Sequence, residues 1–174
     1  YKRQYALIPN TSKLAKSSSH VNASMLVATT HAEPGYTTSK MIYVLIPYKL
    51  KAYANNAWTS PPSAMFAPMV ASSLRDMSYF KSVVNGPFAG SVDYILYTTI
   101  EVLQQEFMQP ISQVRLKVFA SILDVKSNQV IASKEFSQQA PAPGNDPYSG
   151  VLATNVVANT VADQIALFVK QSVK

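Results

Sequence analysis

Two stretches of the chain alternate apolar and polar side chains with the two-residue period of a β-strand. Residues 94–102 form the first stretch and residues 114–122 form the second. The second stretch has one aliphatic face and one mixed face, which is typical of an antiparallel strand with one side partly exposed to water. A polar turn at 124–129 and a further apolar run at 130–136 predict a hairpin.

The first third of the chain has shorter apolar runs separated by polar or turn-forming residues. The predicted elements are a strand at Tyr5–Pro9, a serine-rich loop at Asn10–Ser24, a strand at Met25–Ala28, a turn at Glu33–Tyr36, and a strand at Met41–Pro47 that Leu50–Tyr53 continues after a kink. Proline and glycine mark most of these boundaries, because each restricts or frees the backbone where a chain reverses.

The segment Thr59–Ser63 predicts the start of a helix, because Ser and Thr cap free amides and proline fits the first turn. Apolar residues then follow at steps of four, four and three and share one helix face. They are Phe66, Val70, Leu74 and Met77. Pro68 lacks an amide hydrogen and is expected within the first turns or at a kink. A short strand is predicted at Phe80–Val84.

A second helix is predicted near the C-terminus, after a loop at Ala140–Asn145. Asp146 is its predicted cap and Pro147 its first residue. Its apolar face consists of Val157, Val161, Ile165 and Phe168. The order of strands and helices therefore predicts an α/β (α+β) fold, with a mixed, largely antiparallel sheet packed by two main helices.

Composition narrows the class of protein. The 174 residues fit one domain, and 48% are apolar while only 14% are charged. The net charge of +6 is spread along the chain without the dense basic clusters of nucleic-acid sites, so we expect no nucleic acid as a partner. The chain has no cysteine, and no apolar stretch approaches the ~20 residues of a membrane span.

The sequence contains few of the patterns that accompany catalysis. His20 and His31 lie in predicted loop or strand-end segments, without a nearby pair of carboxylates. Glu101 and Glu106 are five residues apart and Asp124 is distant, so no acid–base pair is visible. Phosphate-binding and nucleophile-elbow motifs are missing. We therefore expect a protein that is not an enzyme, with no catalytic, cofactor-binding or metal-binding residues.

An ordered series of residues carries a family resemblance over nearly the whole chain from about Met25. Its densest part consists of Tyr48, Leu50, Tyr53, Asn56, Trp58, Pro61, Pro62, Met65, Leu74, Phe80 and Val83. Further segments are Pro34–Val44, Asp93–Leu96, Gln105–Phe107, Leu123–Asp124, Val130–Ser133, Pro141–Pro143 and Gly150–Asn155. The series resembles the ABC-type transport auxiliary lipoprotein component family, which includes the paraquat-inducible protein C type.

The resemblance implies an outer-membrane lipoprotein that faces the periplasm and accompanies an ABC transporter. It implies a partner with mammalian-cell-entry domains that moves lipid between membranes, a homo-oligomeric ring in some members, and a sandwich like that of anticodon-binding domains. The family's lipidated cysteine is not in this chain, so the membrane anchor is an expectation. Residues 1–24 are interpreted as an N-terminal strand and loop, and residues 25–174 as the single auxiliary domain.

Six residues are candidates for contacts with a partner. Trp58, with Tyr48, Tyr53 and Asn56 near it in sequence, is interpreted either as a core residue or as an anchor at a subunit contact. Arg115 and Lys117 lie on the wetter face of their strand, where they are either solvated or in contact with anionic lipid or an acidic partner.

Two other functions stay open at this point. A direct lipid carrier would need an apolar cavity between sheet and helix that is large enough for an acyl chain. An envelope enzyme would need polar residues that converge in a cleft. The main hypothesis is a non-enzymatic protein that docks or assembles a lipid-transport partner at the periplasmic side of the outer membrane.

Overall fold

The computed structural model describes residues 2–174. Their elements in chain order are β1 (Arg3–Tyr5), β2 (Val21–Val27), β3 (His31–Ala32), β4 (Lys40–Val44), β5 (Leu50–Trp58), α1 (Pro62–Met77), β6 (Phe80–Asn85), β7 (Tyr94–Glu106), β8 (Gln113–Asp124), β9 (Gln129–Pro141) and α2 (Pro147–Ser172). The strands join into one mixed sheet that the two helices cover on one face.

Strand β7 organises the sheet. Along one edge it pairs in antiparallel fashion with β8, from Tyr94 opposite Asp124 to Glu106 opposite Gln113. Along the other edge it pairs in parallel with β2, then β3, then β4. On the antiparallel side of β7, strand β9 pairs with β8. On the parallel side, β6 pairs with the outer edge of β2, and β5 and then β1 follow β4. The predicted mixed sheet with two main helices is confirmed.

Both helices lie on the same face of the sheet, since α1 and α2 contact each other as well as the strands. Inward-facing residues of the strands and the apolar helix faces form one core. Its fully buried members include Met25, Leu96, Ile100, Leu116, Ile122, Phe66, Leu74, Val161 and Ile165. The predicted inward face of residues 114–122 is therefore confirmed, and the opposite face of β7–β9 carries no helix.

Helix α2 is longer and more continuously apolar than the sequence pattern predicts. Its 26 residues are long and apolar enough to span a membrane by length and composition alone, contrary to our expectation that no stretch would approach one. Half of its most apolar window is buried within the protein, because the helix packs on β8, β9 and α1. It is the main core helix of the domain.

The caps of the two helices differ. In α2, Asp146 accepts a hydrogen bond from Ser149 N–H at 2.8 Å, which confirms the predicted cap. In α1, Pro61 precedes the first turn and makes no side-chain cap, so the expected Ser or Thr cap is wrong. Pro68 lies inside α1, beyond the first turn, and the helix continues across it to Met77.

Two strand predictions near the N-terminus are wrong in their bounds. Strand β1 ends at Tyr5, where Tyr5–Pro9 was predicted, and β2 begins at Val21 inside the predicted loop. Residues 50–53 do not continue β4 after a kink, because they open the antiparallel return strand β5. The reversal is a turn closed by Lys49 N–H to Ile46 O at 3.3 Å.

Residues 6–20 have no regular structure and run across the helices. Asn155, Asn159 and Asp163 lie four residues apart on α2, so their side chains lie in a row along one helix face. They hydrogen-bond successively to Ile8, Asn10 and Ser12. We call residues 6–12 the N-terminal strap. The Ser17 amide donates to Met77 O at 2.8 Å, which fixes the serine-rich stretch against the end of α1.

Candidate interaction surfaces

The face of β7–β9 that carries no helix exposes a mixture of charged, polar and aromatic side chains. We call it the open sheet face and define it by Tyr97, Thr99, Glu101, Val102, Gln104, Glu106, Gln113, Arg115, Lys117, Phe119, Ser121, Ser133, Glu135, Ser137 and Gln139, as the strand register requires. Tyr97 and Phe119 are 40% and 41% exposed, which is high for large aromatic side chains in the middle of a sheet.

A series of side-chain hydrogen bonds crosses one end of this face. The Tyr36 hydroxyl donates to Gln104 Oε1 at 2.5 Å, and Gln104 Nε2 donates to Glu106 Oε2 at 2.7 Å. Arg115 Nε lies 3.1 Å from Glu106 Oε2, and its Nη2 donates to Oε1 at 3.3 Å. Burial and the Glu106 charge raise the pKa of Tyr36, and the Arg115 charge opposes them. Glu106 is buried, and its side chain is satisfied by the contacts with Gln104 and Arg115.

A second charged group lies where the sheet has a bulge. Ile100 faces Val118 but Val102 faces Lys117, so Glu101 is the extra residue of β7. Lys117 Nζ lies 3.6 Å from Glu135 Oε2 on the neighbouring strand. Burial raises the pKa of Glu101, and the nearby Glu135 charge raises it further. Within residues 2–174, the buried Glu101 Oε1 has no hydrogen-bond partner.

Tyr53 belongs to a different cluster, on the helix side of the sheet. Its ring stacks on Tyr43 with centroids 4.5 Å apart, and its hydroxyl donates to Gln105 Oε1 at 2.8 Å. Gln105 Nε2 donates to Ser112 Oγ at 3.0 Å and to Asp146 O at 3.2 Å, which ties β7 to the start of α2. Burial, followed by the Tyr43 and Asp146 charges, raises the pKa of Tyr53. These contacts hold the sheet and α2 together.

Gly150 makes this junction possible. A Cβ atom at position 150 would collide with the Gln105 amide oxygen, and that amide is held by the hydrogen bonds just described. Only glycine therefore allows the first turns of α2 to approach β7 this closely.

The remaining sequence candidates lie in separate places. Trp58 is 4% exposed and lies in the core at the end of β5, with its amide donating to Ser39 O at 2.8 Å. Asn56 is half-buried in β5 opposite Arg3 of β1. Tyr48 is fully exposed at the tip of the β4–β5 turn. The six candidates therefore do not form one site, and only Arg115 and Lys117 share a surface.

Sequence reasoning missed the partners that organise the open sheet face. Alternation along β8 places Phe119 on the same face as Arg115 and Lys117, so that part of the surface was visible in the sequence. Tyr36 and Glu135 reach the face from a loop and from β9, and no local pattern indicates those contacts. The bulge at Glu101 also left no signal in the alternation of residues 94–102.

The interface between sheet and helices is closely packed. A gap beside Met41, Trp58 and Leu103 has a volume of about 20 Å³, which is enough for one water molecule. The other depressions are open at the surface and have mixed polar and apolar walls. The gap at the interface between sheet and helices is therefore too small for the acyl chain that the lipid-carrier alternative would place there. Residues 2–174 also contain no cluster of three or more His, Asp or Glu positioned to hold a metal.

The fold is similar to that of several solved proteins. A Xanthomonas campestris protein of family DUF330 is 18% identical, with a TM-score of 0.87 over 97% of this chain and 94% of that one. A PelC dodecamer from Paraburkholderia phytofirmans is 13% identical, with a TM-score of 0.57 over 92% and 96%. The Chlamydia trachomatis protein CT253 is 9% identical, with a TM-score of 0.56 over 87% and 98%. At these identities the likeness concerns the fold.

The sequence defines the family. The model of the ABC-type transport auxiliary lipoprotein component family matches residues 5–166. The chain therefore belongs to this family, and the resemblance inferred from its residues is confirmed. None of the curated proteins matches the chain. The family is an auxiliary component of transport, which agrees with a non-enzymatic role, and lipoproteins of this kind belong to the cell envelope.

Proposed function

We propose that this protein is a non-enzymatic adaptor of an ABC-type lipid transport system at the periplasmic side of the outer membrane. A lipid anchor upstream of the folded domain would hold it to the membrane. Its partner would be a protein with mammalian-cell-entry domains that carries lipid across the periplasm. Membership of the family supports the transport role, and the packed core supports docking over carriage of lipid.

The observation that carries the proposal is the sheet that helices cover on one face only. A domain that worked as a monomer would leave the open sheet face permanently in water, including the rings of Tyr97 and Phe119. Exposed aromatic side chains among paired charges are typical of protein–protein contacts. We therefore assign this face to contacts between copies of the chain. The PelC structure of similar fold is a dodecamer, which supports self-assembly.

The test is the mass of the purified protein in solution, measured by light scattering over a concentration series. We expect a stable oligomer for the natural chain and a smaller species for Phe119→Lys. Lysine at this position faces Glu135 across the strand pair, so the folded monomer tolerates it. Leu167→Lys is the matched control, because Leu167 is 40% exposed, close to the 41% of Phe119, but lies on α2.

Docking of the transport partner is tested with the same pair of variants. The mammalian-cell-entry-domain protein from the same organism should bind the natural chain and Leu167→Lys, and should bind Phe119→Lys more weakly if docking needs the assembled adaptor. A natural chain that is monomeric at every concentration would remove self-assembly from the proposal. Unchanged mass and partner binding for Phe119→Lys would show that the open sheet face is not the contact.

A further inference from the structure

One end of the sheet exposes apolar side chains from two neighbouring loops. Strand β4 ends at Val44, which pairs with Leu50 of β5 and lies beside the end of β7, where Phe107 N–H donates to Val44 O at 2.9 Å. The β4–β5 turn and the β7–β8 loop therefore leave the sheet side by side. Their exposed apolar residues are Leu45, Ile46, Tyr48, Leu50, Met108 and Ile111, and we call this group the apolar end.

Tyr48 has an unusual backbone at the tip of this group. It has φ of 69° in the turn Ile46–Lys49, at a position where glycine is favoured. Its side chain is fully exposed, so no contact within the fold compensates for the left-handed conformation. A large aromatic residue in a strained, projecting position indicates a role outside the domain itself.

The two segments that form the apolar end carry charges of one sign only. The turn and the first residues of β5, residues 45–51, carry Lys49 and Lys51, both exposed, and contain no carboxylate, while residues 107–112 carry no charge. On the neighbouring elements, the Glu106 carboxylate is paired with Arg115 and the Asp146 carboxylate caps α2. Apolar and aromatic side chains with surrounding lysines match the interface of an anionic bilayer, where rings lie at the head groups and ammonium groups meet phosphate.

The direction of β1 indicates on which side of the domain an upstream membrane anchor would lie. Strand β1 is parallel to β5, with Arg3 opposite Asn56 and Tyr5 opposite Trp58. Moving upstream from Arg3 therefore leads along β5 toward its Leu50 end, which is the apolar end. Lys2 and Arg3 are exposed at the start of this path, opposite the Asn56 end of β5. A membrane anchor that precedes the domain would thus emerge on the side where the apolar residues project.

We propose that the apolar end inserts into the head-group region of an anionic phospholipid bilayer and so sets the orientation of the domain on the membrane. The inference rests on the proposed function only for the anchor, which would bring the domain to the bilayer. Insertion itself needs just the six apolar side chains and the lysines beside them. The strands would then point toward the membrane, leaving the open sheet face free at the side for contacts between copies.

The test uses the chain without any lipid anchor and measures its binding to vesicles by co-sedimentation. Vesicles of phosphatidylethanolamine with phosphatidylglycerol should bind the protein, and vesicles of phosphatidylcholine should bind it more weakly, with raised salt reducing the difference. Ile46→Ser should weaken binding roughly tenfold, as expected for loss of one inserted aliphatic side chain. Val156→Ser is the matched control, because both side chains are 57% exposed but Val156 lies on α2.

Two Tyr48 variants separate insertion from loss of folding. Tyr48→Gly relieves the left-handed backbone, so the protein should melt at a higher temperature and bind vesicles more weakly. Tyr48→Trp should give indole fluorescence that brominated phospholipids quench, whereas Trp58 is buried and should not respond.

Failure to bind anionic vesicles, or equal loss of binding in Ile46→Ser and Val156→Ser, would overturn the inference. So would a Tyr48→Gly protein that binds vesicles normally but has a reduced oligomeric mass, since the apolar end would then be a subunit contact. None of these outcomes decides the adaptor proposal, which is tested by Phe119→Lys and partner binding.

Discussion

The side-chain amide of Asn155 binds Ile8 across 147 positions of the chain, accepting a hydrogen bond from its backbone N–H at 3.0 Å. Asn155 Nδ2 also donates to Ala6 O at 3.2 Å. One helical turn later, Asn159 accepts from Asn10 N–H at 2.8 Å and donates to Ile8 O at 3.1 Å. The two amides therefore replace the strand partner that the N-terminal strap lacks after it leaves the sheet.

Replacing Asn155 by alanine should loosen the strap. Loss of the two side-chain hydrogen bonds should lower the free energy of unfolding by about 1–2 kcal/mol, measured by urea denaturation. Asn22→Ala is the control, because Asn22 is exposed on β2, outside the contact with α2. Equal effects of the two substitutions would mean that the strap contributes nothing to stability. Trypsin should also cleave the Asn155→Ala protein faster at Lys13 and Lys16, which follow the strap.

The strap also shows where sequence reasoning stops. The inward faces of β8, α1 and α2 consist of buried apolar residues. Such residues recur every 2 positions in a strand and every 3.6 in a helix, so these faces could be predicted from the sequence. The strap depends on amides that lie far away in sequence, and its own residues have no period. The prediction that Leu50–Tyr53 continue β4 was wrong for a similar reason. Tyr48 reverses the chain there in a backbone conformation that is uncommon for tyrosine, so the sequence does not indicate a turn.

Acid should weaken the start of α2 through Asp146. Hydrogen bonds from the Ser149 backbone N–H at 2.8 Å and hydroxyl at 3.0 Å lower the pKa of this exposed carboxyl below its ordinary value. Because the pKa is lower in the folded state, the stabilisation is complete above the unfolded value near 3.9 and is lost as the pH falls through the folded value.

The measurement is the melting temperature between pH 7 and pH 2 for the natural chain and Asp146→Asn. Asparagine is also a good N-cap, so the variant should be folded at pH 7 and should lose less stability in acid. Asp93 has a lowered pKa from its bonds to Ser24, so part of the acid response remains in the variant. Parallel curves for the two proteins would show that the Asp146 carboxylate contributes no pH dependence.

A buried pair of hydroxyl groups joins the β2–β3 connection to β7. Thr30 Oγ1 and Thr98 Oγ1 are 2.8 Å apart, and both residues are buried, at 4% and 1% exposure. Thr98→Val preserves the shape but leaves the Thr30 hydroxyl unpaired, so the free energy of unfolding should fall by about 1–3 kcal/mol. The double substitution with Thr30→Val should recover most of the loss. Additive losses in this double-mutant cycle would show that the hydroxyls are not coupled.

The open sheet face could be predicted in part. Alternation placed Arg115 and Lys117 on the wetter side of their strand, and this did not require knowledge of the fold. Their carboxylate partners could not be assigned, because Glu106 and Glu135 come from the two strands that flank β8 and register depends on the bulges. A single residue inserted at Glu101 changes which side chains face each other beyond it.

Glu101 should reduce the stability of the isolated domain at neutral pH. Its burial and the neighbouring Glu135 charge raise its pKa, so ionisation is more costly in the folded state than in the unfolded state. Removing the charge with Glu101→Gln should therefore stabilise the fold at pH 7 by roughly 0.2–0.5 kcal/mol, a small value because Glu101 is only half-buried and the Lys117 charge offsets part of the cost.

The sign of the pH dependence distinguishes this cause from a change in packing. The cost of the Glu101 charge is fully present above its raised pKa and disappears below the unfolded value near 4.3, so the advantage of Glu101→Gln should vanish at pH 3.5. Glu135→Gln removes the same repulsion but also the contact with Lys117, and it should stabilise the domain less. An advantage that persists unchanged at pH 3.5 would assign the effect to packing, and a loss of stability at pH 7 would mean that Lys117 outweighs the repulsion.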